Sequence, residues 1–132
     1  MSGIVFDKKN LVSLIDHQIA LLERFGLQEE APFSIIYFSL KKNEQIECIK
    51  ILNKILRKSD ALVQVKNKFF ILLPATDWNG AEKLLNGIHE FLSQENQDNI
   101  VVYPEDGKSA KKLLKSLSKI VEKNTGKKLL IS

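Results

Sequence analysis

The sequence predicts an α/β domain, a central mixed β-sheet packed by helices in the element order α-β-α-β-β-α-β-α-β. Three observations carry this. Phe33 to Leu40 is a nearly continuous apolar run rich in strand formers, as expected of a central strand buried on both faces. Two further apolar runs, Ala61 to Val65 and Phe69 to Leu73, flank a short polar turn at Lys66-Asn67, the pattern of a β-hairpin. The segments around these runs repeat apolar residues at helical spacing.

The elements follow in order. Asn10 is placed to cap a first helix, whose apolar face is Leu11, Leu14, Ile15, Leu21, Leu22 and Phe25, and Gly26 ends it. Gln28 to Pro32 is a loop leading into the Phe33–Leu40 strand. Asn43 is expected to cap a second helix carrying Ile46, Ile49, Leu52, Ile55 and Leu56. After the hairpin, Asp77 caps a third helix with Ala81, Leu84, Leu85, Ile88 and Leu92 on one face, and polar Ser93 to Asp98 closes it. Ile100 to Tyr103 is a short strand and Pro104-Glu105-Asp106-Gly107 a turn. Ser109 caps a fourth helix built on Leu113, Leu114, Leu117, Ile120 and Val121, Gly126 ends it, and Lys128 to Ile131 is a last short strand.

Composition narrows the functional classes. The 132 residues suit one domain spanning the chain, whether it stands alone or is cut from a longer protein. A hydrophobic share of 44% and a charged share of 27% are those of an ordinary globule, which needs no disulfide staples. Cys48 is the single cysteine, so no intrachain disulfide can form; a buried thiol in a reducing cytoplasm is expected. The start lacks the basic and long apolar runs of a signal peptide, and no stretch reaches transmembrane length. The net charge of +4 is concentrated late, at Lys108, Lys111, Lys112, Lys115, Lys119, Lys123, Lys127 and Lys128. No aromatics interleave with these lysines, so a solvated helix face is expected rather than a nucleic-acid surface. His17 and His89 are far apart, with no second ligand at metal-binding spacing. Trp78, opening a helix, is either a contact residue or a packing staple.

Several segments together resemble GGDEF domains, the diguanylate cyclases, a bacterial signalling family. Arg57-Lys58-Ser59-Asp60 is similar to the "RxxD" before the family's signature hairpin, and Phe69 to Asp77 to its "FxxLLPxTD". Tyr103-Pro104-Glu105-Asp106-Gly107 with Leu113-Leu114 is close to "YPxDG…LL", and Leu11 to Gln18 keeps the leucines of the family's entry helix. No one segment is specific; their order and spacing, from Leu11 to Ile131, carry the resemblance. It implies a GGDEF or nucleotidyl-cyclase-like sheet with helices on both faces.

The departures bear on function. The resemblance implies that an active member holds Mg²⁺ on carboxylates from the end of the first strand and from the signature hairpin. Here the strand end reads Ser39-Leu40-Lys41-Lys42 and the turn Val65-Lys66-Asn67-Lys68, without the family's glycines or acids. The span from Ser39 to Asp60 is roughly a dozen residues shorter than the pattern that carries the guanine-binding loop. The strand Asn99 to Tyr103 also lacks the family's "SIG" element. The expectation is a degenerate domain with no catalytic residues, metal or cofactor, acting on a protein partner or as a homo-oligomer.

Two candidate ligand sites remain. Arg57 and Asp60 match the family's inhibitory site for cyclic di-GMP, where a planar guanidinium suits a bidentate contact to guanine and phosphate. The competing reading is local: Arg57 ends a helix and Asp60 caps it or pairs nearby. Lys41, Lys42, Lys66 and Lys68 converge if their strands adjoin as in the family, forming a cluster that repels Mg²⁺ and attracts phosphate. Exposed turn lysines that discourage edge pairing are the plainer alternative.

Overall fold

Among the described residues, four helices pack around a five-stranded sheet. In chain order they are β1 (Gly3–Phe6), α1 (Leu11–Phe25), β2 (Phe33–Ser39), α2 (Lys42–Ile55), β3 (Asp60–Val65), β4 (Lys68–Leu73), α3 (Trp78–Leu92), β5 (Ile100–Tyr103) and α4 (Ala110–Thr125). This computed structural model describes residues 3–6, 10–92, 98–126 and 129, with backbone alone at 3–6, 91 and 92. The expected strand at Lys128 to Ile131, apart from Leu129, and most of the polar segment Ser93 to Asp98 lie outside the described residues. Among those described, no helix is long and apolar enough to cross a membrane.

The strand order is β1-β3-β4-β2-β5, with β1 parallel to β3 and every other pairing antiparallel. β2-α2-β3-β4-α3-β5 forms a split β-α-β arrangement, placing β4 at the centre of the sheet and β2 inside it between β4 and β5. The mixed sheet is therefore as expected, but the element order begins with a strand that the sequence reading did not include. Ile4-Val5-Phe6 is too short a run to signal a strand by itself. It becomes one because the outer edge of β3 pairs with it, Ile4 opposite Ala61 and Phe6 opposite Val63.

Alternation along the strands divides the core in two. Phe33, Ile35 and Tyr37 of β2, Val63 of β3, Phe70 and Leu72 of β4 and Val101 and Tyr103 of β5 pack with α1 and α4. Ile36 and Phe38, Leu62, Phe69, Ile71, Leu73, Ile100 and Val102 face α2 and α3. Both faces are covered, which is why β2 reads as apolar throughout. Three aromatic pairs lie directly opposite one another across the ladders: Phe38 and Phe69 at 5.5 Å between ring centroids, Tyr37 and Phe70 at 5.2 Å, and Phe33 and Tyr103 at 4.9 Å. Such pairs fix the register, since a slip by one residue would exchange the two faces.

The helix ends separate the sequence signals that work from those that do not. Asp77 Oδ1 accepts from Gly80 N at 2.9 Å, and Ser109 Oγ from Lys112 N at 3.2 Å, as expected of N-caps. Gly26 (φ 64°) and Gly126 (φ 74°) end α1 and α4 in the left-handed conformation. Asn10 stands at the first N-cap but makes no side-chain cap bond. Asn43 does not cap α2, which already begins at Lys42. The chain turns immediately after β2, and the Glu44 carboxylate accepts from Lys41 N at 3.1 Å, closing the helix start from within.

Burial also corrects the second helix. Its inward face is Cys48 and Leu52 with half-buried Ile49, while Ile46 and Ile55 are 68% and 51% exposed. On α1 the buried set is Leu11, Ile15, Ile19 and Leu22, with Leu21 and Phe25 left largely outside. Cys48 is buried as expected, and that burial, with the Glu44 charge adding, pushes its thiol up to about 11.

Candidate functional site

The end of β2 and the β3–β4 turn meet at one end of the sheet. Ser39 lies opposite Lys68 in the ladder, and Leu40 N donates to Asn67 O at 2.9 Å. Gln45 of α2 donates to Leu40 O at 3.4 Å, and Gln64 Nε2 donates to Gln45 Oε1 at 3.3 Å and to Lys66 O at 3.1 Å. These bonds tie helix, strand and turn into one corner. Lys41, Lys42, Lys66 and Lys68 all stem from it; the first three are exposed and Lys68 is half-buried. Lys66 sits at φ 58°, a left-handed conformation that glycine adopts freely and a side chain at a cost of roughly 1 kcal/mol. Glu44 is the acid nearest in sequence, and its carboxylate is engaged at Lys41 N. A corner lined by ammonium groups attracts phosphate and opposes a divalent cation.

Arg57 and Asp60 lie at the other end of β3, so the two candidate sites are separate. Asp60 is nearly buried, with its side chain 4% exposed, whereas Arg57 is 51% exposed. Arg57 N donates to Asp60 Oδ2 at 2.8 Å, and its guanidinium reaches Oδ1 through Nε at 3.1 Å and Nη2 at 2.9 Å. The same Nη2 donates to Pro74 O at 2.7 Å and to Thr76 Oγ1 at 2.9 Å.

The guanidinium thereby pins the loop after β4. That loop carries Ala75 at φ 53° and is fastened by Thr76 N to Pro32 O, just ahead of β2, at 3.0 Å and by Ser34 Oγ of β2 to Thr76 O at 2.6 Å. The three-residue spacing pairs Arg57 with Asp60 but gives no sign of Pro74 and Thr76 as further acceptors. The only signal was the "LPxTD" segment, whose threonine is one of them.

The Tyr103–Gly107 turn is also a structural device. Among the described strands β5 lies at the edge, and its Val102 N donates to Asp106 Oδ2 at 2.8 Å while Asp106 N donates to Val102 O at 2.8 Å. Ser116 of α4 donates to Asp106 O at 2.6 Å. A Cβ at Gly107 would stand 2.8 Å from Leu113 N, so the turn packs against α4 too closely for any other residue. Beside it, Trp78 is 39% exposed and lines a cleft of 510 Å³ with Glu29, Asp77 and Tyr103. His17, exposed on α1, and buried His89 of α3 lie on opposite faces of the sheet and do not meet.

No protein-family model and no curated protein matches the chain. Among solved structures it is similar to a sensory box/GGDEF family protein from Caulobacter crescentus CB15. The TM-score is 0.71 at 13% identity, over 92% of this chain and 93% of that one. At that identity the likeness is one of fold: the chain has a GGDEF-like α/β architecture.

Proposed function

We propose that this domain is a signalling module of GGDEF-like fold that has lost cyclase chemistry and acts by binding a protein partner. The carrying observation is the corner where Leu40 N meets Asn67 O at 2.9 Å. It brings together the two segments from which the family would draw metal-binding carboxylates, and here both contribute lysines. Mg²⁺ demands hard oxygen ligands in octahedral array, and ammonium groups in their place raise the cost of bringing a divalent ion near. The short connection from β2 into α2 supports the same reading, because it leaves no loop to enclose a guanine.

A second reading, a receptor for cyclic di-GMP, rests on the half-exposed Arg57 side chain at the matching "RxxD" position. In its favour, Nη1 has no partner among the described residues. Against it, Asp60 is buried and both its oxygens are taken by Arg57. Calorimetric titration with cyclic di-GMP, and with GTP plus Mg²⁺, separates the two. The interaction reading expects no heat from either nucleotide. Micromolar binding of cyclic di-GMP that disappears in Arg57→Ala, in a variant that still melts cooperatively, would replace it with the receptor reading.

A further inference from the structure

α4 carries five lysines against one glutamate. At 100° per residue, Lys112, Lys115, Lys119 and Lys123 fall within a quarter of the helix circumference, and all four are exposed. The stripe runs about 16 Å along the axis. Its first three lysines, joined by Lys108, line an open groove of 380 Å³ against the Pro104–Gly107 turn. Among the described residues none of these lysines is seen in an ion pair. Lys115 and Lys119, and Lys119 and Lys123, stand four residues apart, where like charges destabilise a helix by roughly 0.2–0.5 kcal/mol a pair. The fold itself obtains nothing in return for this repulsion, since the opposite face of α4, Leu113, Leu114, Leu117 and Val121, supplies the packing.

We propose that the α4 lysine stripe docks an acidic segment of a protein partner. This rests on the protein-interaction reading and adds the surface and the partner's chemistry. Charge complementarity names an anionic occupant, and the length of the stripe suits an extended or helical segment rather than a single phosphate. The residue types favour protein over nucleic acid. The stripe has no arginine to fork onto phosphate or guanine and no aromatic to stack a base. Lysine point charges on flexible stems suit carboxylates that need no fixed plane.

The test uses poly-L-glutamate and a short mixed-sequence DNA duplex as probes, at low and at physiological salt. Wild type is compared with Lys112→Glu/Lys119→Glu and with Lys50→Glu/Lys83→Glu, a pair from α2 and α3 with the same change in net charge. Poly-L-glutamate is expected to bind wild type more tightly than DNA does and to weaken with salt. The α4 pair should lose affinity by about tenfold or more while the control pair changes by less than about threefold. The α4 variant should also melt close to wild type, because glutamate at position 119 makes the two spacings to Lys115 and Lys123 attractive while making the one to Glu122 repulsive. Tighter binding to DNA would assign the stripe to nucleic acid. Absence of poly-L-glutamate binding, or equal loss in both variants, would remove the site while leaving the protein-interaction reading intact.

Discussion

Phe69→Ala is expected to destabilise the domain by about 3–5 kcal/mol, the most of any substitution considered. Phe69 is fully buried and lies flat on Phe38, 5.5 Å between centroids at an interplanar angle of 4°. The two are direct partners in the β2–β4 ladder, between the lysine corner and the α2–α3 layer. Truncation would open a cavity that neither the sheet nor those helices can collapse into without disturbing the register. A loss of that size is comparable to the whole stability of a marginal domain, so the melting temperature should fall by more than about 10 °C. A fall of only a few degrees would mean that the hairpin is not anchored by this pair.

Arg57→Ala is expected to cost roughly 2 kcal/mol, in a thermal or urea melt, whatever the ligand. Half the arginine is exposed, so its Coulombic share is modest. The larger part comes from what it leaves behind: an Asp60 carboxylate that is 4% exposed and has lost its guanidinium, and a loop at Pro74 and Thr76 without its donor. Arg57→Lys should recover less than half of this. An ammonium cannot present Nε and Nη2 as a fork while also serving two further acceptors. In a double-mutant cycle with Asp60→Asn, the two losses should be strongly non-additive. Unchanged stability in Arg57→Ala would show that the network seen around it does not hold the loop. For the same reason, any ligand affinity lost in this variant has to be read beside its melting curve.

Legibility of the fold followed the physical strength of each signal. β2, β3 and β4 could be read because burial on both faces makes a strand uniformly apolar, and the polar Lys66-Asn67 pair breaks that run where the turn falls. Asp77 and Ser109 could be read because a short side-chain acceptor just ahead of an apolar helical period has a specific bond to make. Asn43 misled for the same reason: the residue type was right, but the turn out of β2 is set by Leu40 bonding to Asn67, a contact distant in sequence.

Ile46 and Ile55 fit a helical period and still point outward, since periodicity cannot say how wide a stripe the neighbouring layer covers. β1 escaped notice because a short run becomes a strand only when a partner edge awaits it. At the candidate site, the local pairing of Arg57 with Asp60 was readable from a spacing of three residues. The role of Arg57 in pinning Pro74 and Thr76 was not, because it depends on the course of the loop after β4, set by Ala75 at φ 53° and by Thr76 N bonding to Pro32 O.

GTP turnover is the sharpest test of the proposal that this GGDEF-like fold carries no cyclase chemistry. The purified domain would be incubated at high concentration with GTP and Mg²⁺, and the nucleotides separated by chromatography. GTP is expected to be recovered unchanged, with no cyclic di-GMP above a protein-free control. Accumulation of cyclic di-GMP in proportion to the amount of protein would contradict it, and would mean that the lysine corner is not where this chain gathers its metal.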